Sequence, residues 1–157
     1  MVRSAEPGDA AAIARLLDQL GYPASDDEVR ARLGSLGADD LVLLADDDAG
    51  LAALHRVPLI AEGGALMRIT ALVVCADKRG RGVARALLDA SEDTARRWEC
   101  SLIEVSSGRR PERESAHSFY RAAGFTDTSQ RSVRYWKPVV NATASTKPAR
   151  SRSSPAG

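Results

Sequence analysis

A short basic, glycine-rich segment, Arg79-Gly80-Arg81-Gly82-Val83-Ala84, sets the architecture on both sides of it. The run Ile69-Thr70-Ala71-Leu72-Val73-Val74-Cys75 before it reads as a buried strand. After it, Ala84, Leu87, Leu88, Ser91, Ala95 and Trp98 fall at helical spacing. Strand, glycine turn and helix in that order make an anion-binding corner. Glycine lets the backbone approach an anion closely, and the first turn of a helix leaves amide N–H groups unpaired and aimed at it. The arginines add positive charge. Two common phosphate loops are excluded. A nucleotide-hydrolase loop needs Lys followed by Ser or Thr after its last glycine, and here Val83 and Ala84 follow. A dinucleotide fingerprint needs three glycines early in an alternating β-α-β unit, and this turn has two, in mid-chain.

With 157 residues the chain is long enough for one domain with its own core. A formal charge of +1 argues against a nucleic-acid partner held by bulk electrostatics. Residues 141–157 carry Lys147, Arg150 and Arg152 without an acid, which leaves the body at −2. This Ala-, Ser- and Pro-rich stretch has little apolar bulk and reads as a disordered basic tail behind a folded domain at 1–140. No apolar run approaches a bilayer span and no signal-peptide pattern opens the chain, so a cytoplasmic protein without a membrane partner is expected. Cys75 and Cys100 are expected to be free, reduced thiols. The Ala- and Arg-rich, lysine-poor composition suggests a GC-rich bacterial genome, by correlation only. No metal site is expected.

The remaining elements follow from periodicity. Ala10, Ile13, Leu16, Leu17 and Leu20 predict a first helix that ends at Gly21-Tyr22-Pro23. Ser25-Asp26-Asp27-Glu28 is a capping box opening a second helix with Val29, Leu33 and Leu36 on one face. Leu41–Ala45 and Leu51–Leu59 form a hairpin across Asp46-Asp47-Asp48-Ala49-Gly50, and Glu62-Gly63-Gly64 turns into the strand that ends at Val74. A helix over 82–98 and a strand at 102–105 come next. The charged loop Arg109–Glu114, with Pro111, leads to a helix ending at Gly124. Phe125 to Pro138 alternates as a final hairpin around Ser129-Gln130. The order α-α-β-β-β-α-β-α-β-β is a mixed α/β fold, its sheet antiparallel at first and parallel across the helix at 82–98.

Arg79-x-x-Gly82-x-Ala84 resembles the pyrophosphate loop of the GCN5-related N-acetyltransferases (GNAT), whose pattern is Gln/Arg-x-x-Gly-x-Gly/Ala. Ala116-His117-Ser118-Phe119-Tyr120-Arg121-Ala122-Ala123-Gly124-Phe125 resembles that family's A-x-x-F-Y-x-x-x-G-F segment. The likeness covers roughly 2–138 and includes the element order. It implies an acyl-CoA N-acyltransferase fold, acetyl-CoA as co-substrate without a metal, and a small-molecule or peptide amine as acceptor. It also allows a homodimer. The second reading is a non-catalytic, regulatory CoA-binding module of the same fold.

The resemblance assigns the pyrophosphate to the amides of Arg81, Gly82, Val83 and Ala84, around Gly80, with Arg79 and Arg85 adding charge-assisted bonds. It assigns the pantetheine arm to the open edge at Leu72, Val73 and Val74, freed by a bulge. It makes Tyr120 the acid that protonates the leaving thiolate. For the amine's proton, Glu104 is the acidic residue inside the neighbouring short strand; it is equally a partner for Arg109 or Arg110. His55, His117 and water are further routes. Arg113 stands where family members often have the Asn that bonds the pantetheine arm. Tyr22 and Pro23 lie on the loop that covers the acceptor pocket in the family. For the acceptor, Arg68 beside Thr70 favours a carboxylate, whereas Asp46-Asp47-Asp48 favours a polycation.

Overall fold

The computed structural model describes residues 1–107, 114–130 and 137. The chain divides into two compact units, Met1–Ser106 and Ser107–Gly157. Arg109, Arg110, Pro111, Arg113, positions 131–136 of the expected hairpin and the tail at 141–157 lie outside the described residues.

The first unit opens with a strand that periodicity does not announce, β1 (Val2–Ser4), so the observed order is β-α-α-β-β-β-α-β. β1 pairs antiparallel with β2 (Asp40–Ala45) at the edge of the sheet. Helix α1 (Ala10–Leu20) buries Ala10, Ile13 and Leu16. Its end is a hydrogen-bonded stop: the Gly21 amide donates to Asp18 O and the Tyr22 amide to Leu17 O, with Gly21 left-handed at φ 89°. Helix α2 (Asp26–Gly34) has the expected reciprocal cap. The Glu28 amide donates to Ser25 Oγ at 3.2 Å, and the Ser25 amide to Glu28 Oε2 at 2.8 Å. Leu36 falls beyond this helix and is exposed, not part of its apolar face.

β2 and β3 (Gly50–Pro58) form the predicted hairpin, and β4 (Ala65–Val74) follows antiparallel. Helix α3 (Val83–Arg97) crosses over to β5 (Cys100–Val105), which pairs parallel with β4. The sheet order is β1-β2-β3-β4-β5.

Helices α1 and α2 lie on one face, where Ile13, Leu16 and Val29 pack with Leu44, Leu51 and Val73. Helix α3 lies on the other. A side chain built on Gly50 would meet Leu87 of α3, and Gly50 and Leu51 point to opposite faces because strand side chains alternate. Ser91 and Thr94 are buried polar residues of α3, and each satisfies its hydroxyl by donating to the carbonyl four residues back, Leu87 and Ala90.

In the second unit α4 (Glu114–Ala122) ends as expected. The Phe125 amide donates to Tyr120 O and the Gly124 amide to Arg121 O, with Gly124 at φ 89°. Positions 125–128 are irregular and 129–130 form a turn, so the first arm of the expected hairpin is not a strand here.

Candidate functional site

A bulge on β4 shapes the site. From Gly50 to Ala53, β3 pairs with β4 in one register (Ala53↔Ala71); from Leu54 onward the register has shifted by one (Leu54↔Ile69). Thr70 is therefore the extra residue, and its hydroxyl donates back to Ala53 O at 3.2 Å. The bulge is expected at Leu72–Val74 and sits slightly earlier. The last β4–β5 pair is Ile69↔Val105, so among the described residues no strand pairs with Ala71–Val74 on that side. The Cys75 amide donates to Ala49 O, which makes 49/75 a hydrogen-bonded pair of the β3–β4 ladder. Antiparallel pairs alternate, so the backbone N–H and C=O groups of Leu72 and Val74 face the open edge, while those of Val73 face β3. Of the three expected edge residues, Leu72 and Val74 offer the edge, and Val73 packs in the core.

This edge leads straight into the glycine turn. Cys75 caps a 3-10 turn at Ala76–Lys78, Arg79 is extended, and Gly80 and Gly82 are left-handed at φ 74° and 79°. Gly82 is the N-cap of α3 and supplies no side-chain cap. Among the described residues the amides from Arg81 to Arg85 have no hydrogen-bond acceptor; Ala86 is the first to bond back, to Gly82 O. A Cβ built on Gly82 would meet no atom within 4 Å, so this glycine faces open space in front of unpaired donors. Gly80, Arg79, Arg81 and Arg85 are exposed around it. Arg85 turns along the helix to Asp89, with Nε 2.8 Å from Oδ1. Asp77 tempers the positive charge; the Cys75 thiol and then the neighbouring Lys78 and Arg81 hold its carboxyl below the usual carboxylate range.

The side chains near the parting of β4 and β5 are paired in a way no local pattern announces. Glu104 Oε2 accepts from Arg68 Nε at 2.8 Å, and Arg68 NH2 lies 2.7 Å from the same oxygen in an ion pair. Arg68 is thus a partner of Glu104 among the described residues; Arg109 and Arg110, the expected partners, lie outside them. His55 Nδ1 lies 2.8 Å from Asp40 Oδ1. The Gly37 amide and His55 hold the Asp40 carboxyl below its ordinary range. The acidic turn after β2 is largely spoken for: the Met1 ammonium pairs with Asp46, and Arg15 with Asp48 at 2.9 Å.

Both cysteines are free. Cys75 Sγ accepts from Gln19 Nε2 at 3.3 Å, and burial pushes the Cys100 thiol up. No group of His, Cys, Asp and Glu among the described residues is arranged to hold a metal ion. No helix among them is long and apolar enough to cross a membrane.

Tyr120 lies on α4 in the second unit, half-buried, between Phe119 (ring centroids 5.5 Å apart) and Phe125 (5.6 Å, edge-on). The A-x-x-F-Y-x-x-x-G-F pattern thus has a local physical meaning. The glycine ends the helix, and the phenylalanine after it folds back onto the tyrosine whose carbonyl its amide bonds. His117 sits half-buried one turn earlier.

The fold has many counterparts among solved structures. A GNAT family acetyltransferase from Staphylococcus aureus is 23% identical, with a TM-score of 0.72 over 88% of this chain and 98% of that one. A ribosomal-protein-alanine N-acetyltransferase from Brucella melitensis is 22% identical, with a TM-score of 0.72 over 88% and 99%. A protein from Arthrobacter sp. FB24 is 31% identical, with a TM-score of 0.72 over 88% and 96%. No curated protein sequence gives a significant match. The family model described as Acetyltransferase (GNAT) family matches residues 11–125, and the chain belongs to that family.

Proposed function

We propose that this protein transfers an acetyl group from acetyl-CoA to a primary amine, by direct attack within a ternary complex. The observation that carries the reading is the continuity of the β4 edge, unpaired among the described residues, with the uncapped start of α3. A ligand with amides at one end and a pyrophosphate at the other matches both. The pantetheine amides pair with the edge groups of Leu72 and Val74 as an added strand would. The pyrophosphate takes the amides from Arg81 to Arg85, with Arg79 and Arg81 supplying charge. Acetyl-CoA supplies the activated acyl group and a thiolate leaving group.

The protein's own part is positioning and proton management. The edge that holds the arm begins where β4 and β5 part, beside Ile69 and Val105. Glu104 takes the proton of the attacking amine, and Tyr120 gives one to the departing thiolate. Direct transfer is favoured over an acyl-enzyme because neither cysteine suits a nucleophile: Cys75 lies at the far end of the edge, engaged with Gln19, and burial disfavours the Cys100 thiolate.

Isothermal titration of acetyl-CoA into the wild type and Gly82→Trp tests the binding half. Micromolar binding to the wild type, abolished in the variant, is expected; no binding to the wild type would overturn the reading. Tyr120→Phe tests the chemical half. Turnover is expected to fall by about a hundredfold, within the range for general acid catalysis, with acetyl-CoA affinity kept. Unchanged turnover would remove Tyr120 from the mechanism, and a wild type that binds acetyl-CoA but acetylates nothing would favour a regulatory CoA-binding module.

A further inference from the structure

Four cross-strand neighbours carry polar side chains in one row: Asp40↔His55, His55↔Arg68 and Arg68↔Glu104. Residues directly opposite one another share a face, so all four point the same way. It is the face that α1 and α2 cover, because Val42, Leu44, Leu51, Ala71 and Val73 follow on it toward the glycine turn. The apolar packing stops short of the row, which stays accessible: the side chains of Arg68 and His55 are 41% and 45% exposed. Arg68 also stands one residue before Ile69, the last position of β4 paired with β5.

The hydrogen bond and the ion-pair contact from Arg68 to Glu104 use one side of the guanidinium, Nε and NH2, and both end on Oε2. NH1 has no partner among the described residues, so the fork of NH1 and NH2 remains open. That fork matches the two oxygens of a carboxylate. The Glu104 contact stops the guanidinium from rotating away. The competing hint, the acidic turn at 46–48, lies at the opposite end of β3 from His55, next to the glycine turn, and two of its acids are already paired. It has no part in recognition at the row.

We infer that the acceptor is a small amino carboxylate, its carboxylate held by the NH1/NH2 fork of Arg68 and its amine presented beside Glu104 where β4 and β5 part. This rests on the acetyl-transfer reading above and narrows it to a substrate class.

The test uses the full chain and matched probes: a panel of free amino acids and their carboxamides, with acetyl-CoA and thiol release as readout. In parallel, each probe is titrated calorimetrically into protein saturated with CoA. Amino carboxylates are expected to exceed their carboxamides by about tenfold to a hundredfold in kcat/KM, the span set by charge-assisted bonds. They are expected to bind the CoA complex correspondingly tighter. In Arg68→Gln both preferences should fall to near unity while acetyl-CoA affinity is unchanged. Arg68→Lys, which keeps the ion pair with Glu104 but loses the fork, should restore only part of them. Carboxamides or diamines equal to or better than amino carboxylates would overturn the inference, as would a preference that survives Arg68→Gln. So would acetyl-CoA binding with no acetylation of any amino carboxylate. Failure to bind acetyl-CoA would instead overturn the reading on which it rests.

Discussion

At Gly50 a single methyl group decides whether β3 can begin where it does. A Cβ there would lie 2.6 Å from Val73 O and 3.2 Å from Leu87 Cδ1. The first is a backbone atom of the neighbouring strand and cannot move aside cheaply. Gly50→Ala is therefore expected to destabilise the fold by about 1–3 kcal/mol, the usual range for overpacking a core. A chain of this size loses about 2–4 °C of Tm per kcal/mol. Thermal unfolding would measure it, and an unchanged Tm would show that β3 and α3 are packed more loosely than these distances. In the sequence this glycine looks like the end of an acidic turn; the clash is set first by the backbone of Val73, on a strand more than twenty residues along the chain. Gly82 is the opposite case. Its position between a strand and an amphipathic helix is local information, and its left-handed φ agrees with that reading.

At the scale of elements, what is legible is what lies within a few residues. The capping box at Ser25 and Glu28, the stop at Gly21 and the stop at Gly124 are all closed by bonds of short sequence separation. β1 is not legible, because three residues carry no period. It exists because β2 offers an edge and because Arg3 ties it to the start of α1, with NH1 and NH2 donating to Asp9 Oδ2 and Oδ1 at 2.8 and 2.7 Å. The Arg3 guanidinium, and then the Glu6 amide, hold the Asp9 carboxyl down to about 2 from an ordinary 3.8. A carboxyl whose pKa is lowered on folding stabilises the native state above its unfolded pKa and loses that contribution as pH falls through the folded one. Asp9→Asn should therefore lower Tm by a constant amount from pH 7 to about 5, and the gap should close between about pH 4 and 2. A gap independent of pH across that window would mean the pair does not form. The polar row is illegible for a stronger reason. Its membership needs three strand registers at once, and the bulge at Thr70 sets one of them. Without that extra residue His55 would stand opposite Ile69, and Arg68 would point to the other face of the sheet, away from His55 and Asp40.

On the scale of the whole first unit, the sheet leaves backbone groups of β4 and amides of α3 unpaired among the described residues along one continuous path. Such groups are tolerated because they reach solvent, and they stabilise the fold further only when a ligand replaces the water. Binding to the native state alone stabilises it by about 2.7 kcal/mol at a ligand concentration a hundred times Kd. By the same scaling, acetyl-CoA at that concentration should raise Tm by about 5–10 °C. Gly82→Trp should abolish the shift and lower the ligand-free Tm by only a few degrees, since the space beside Gly82 holds no protein atom and the strain of a side chain at φ 79°, about 1–2 kcal/mol, is the main cost. Raising the salt concentration should weaken the shift, because the pyrophosphate part depends on exposed arginines while the pantetheine part does not. A shift that ignores both salt and Gly82→Trp would place the ligand somewhere other than this path. No shift at saturating acetyl-CoA would mean that the open edge and the glycine turn are an unfilled corner of the fold, and that the chain has kept the family's architecture without its co-substrate.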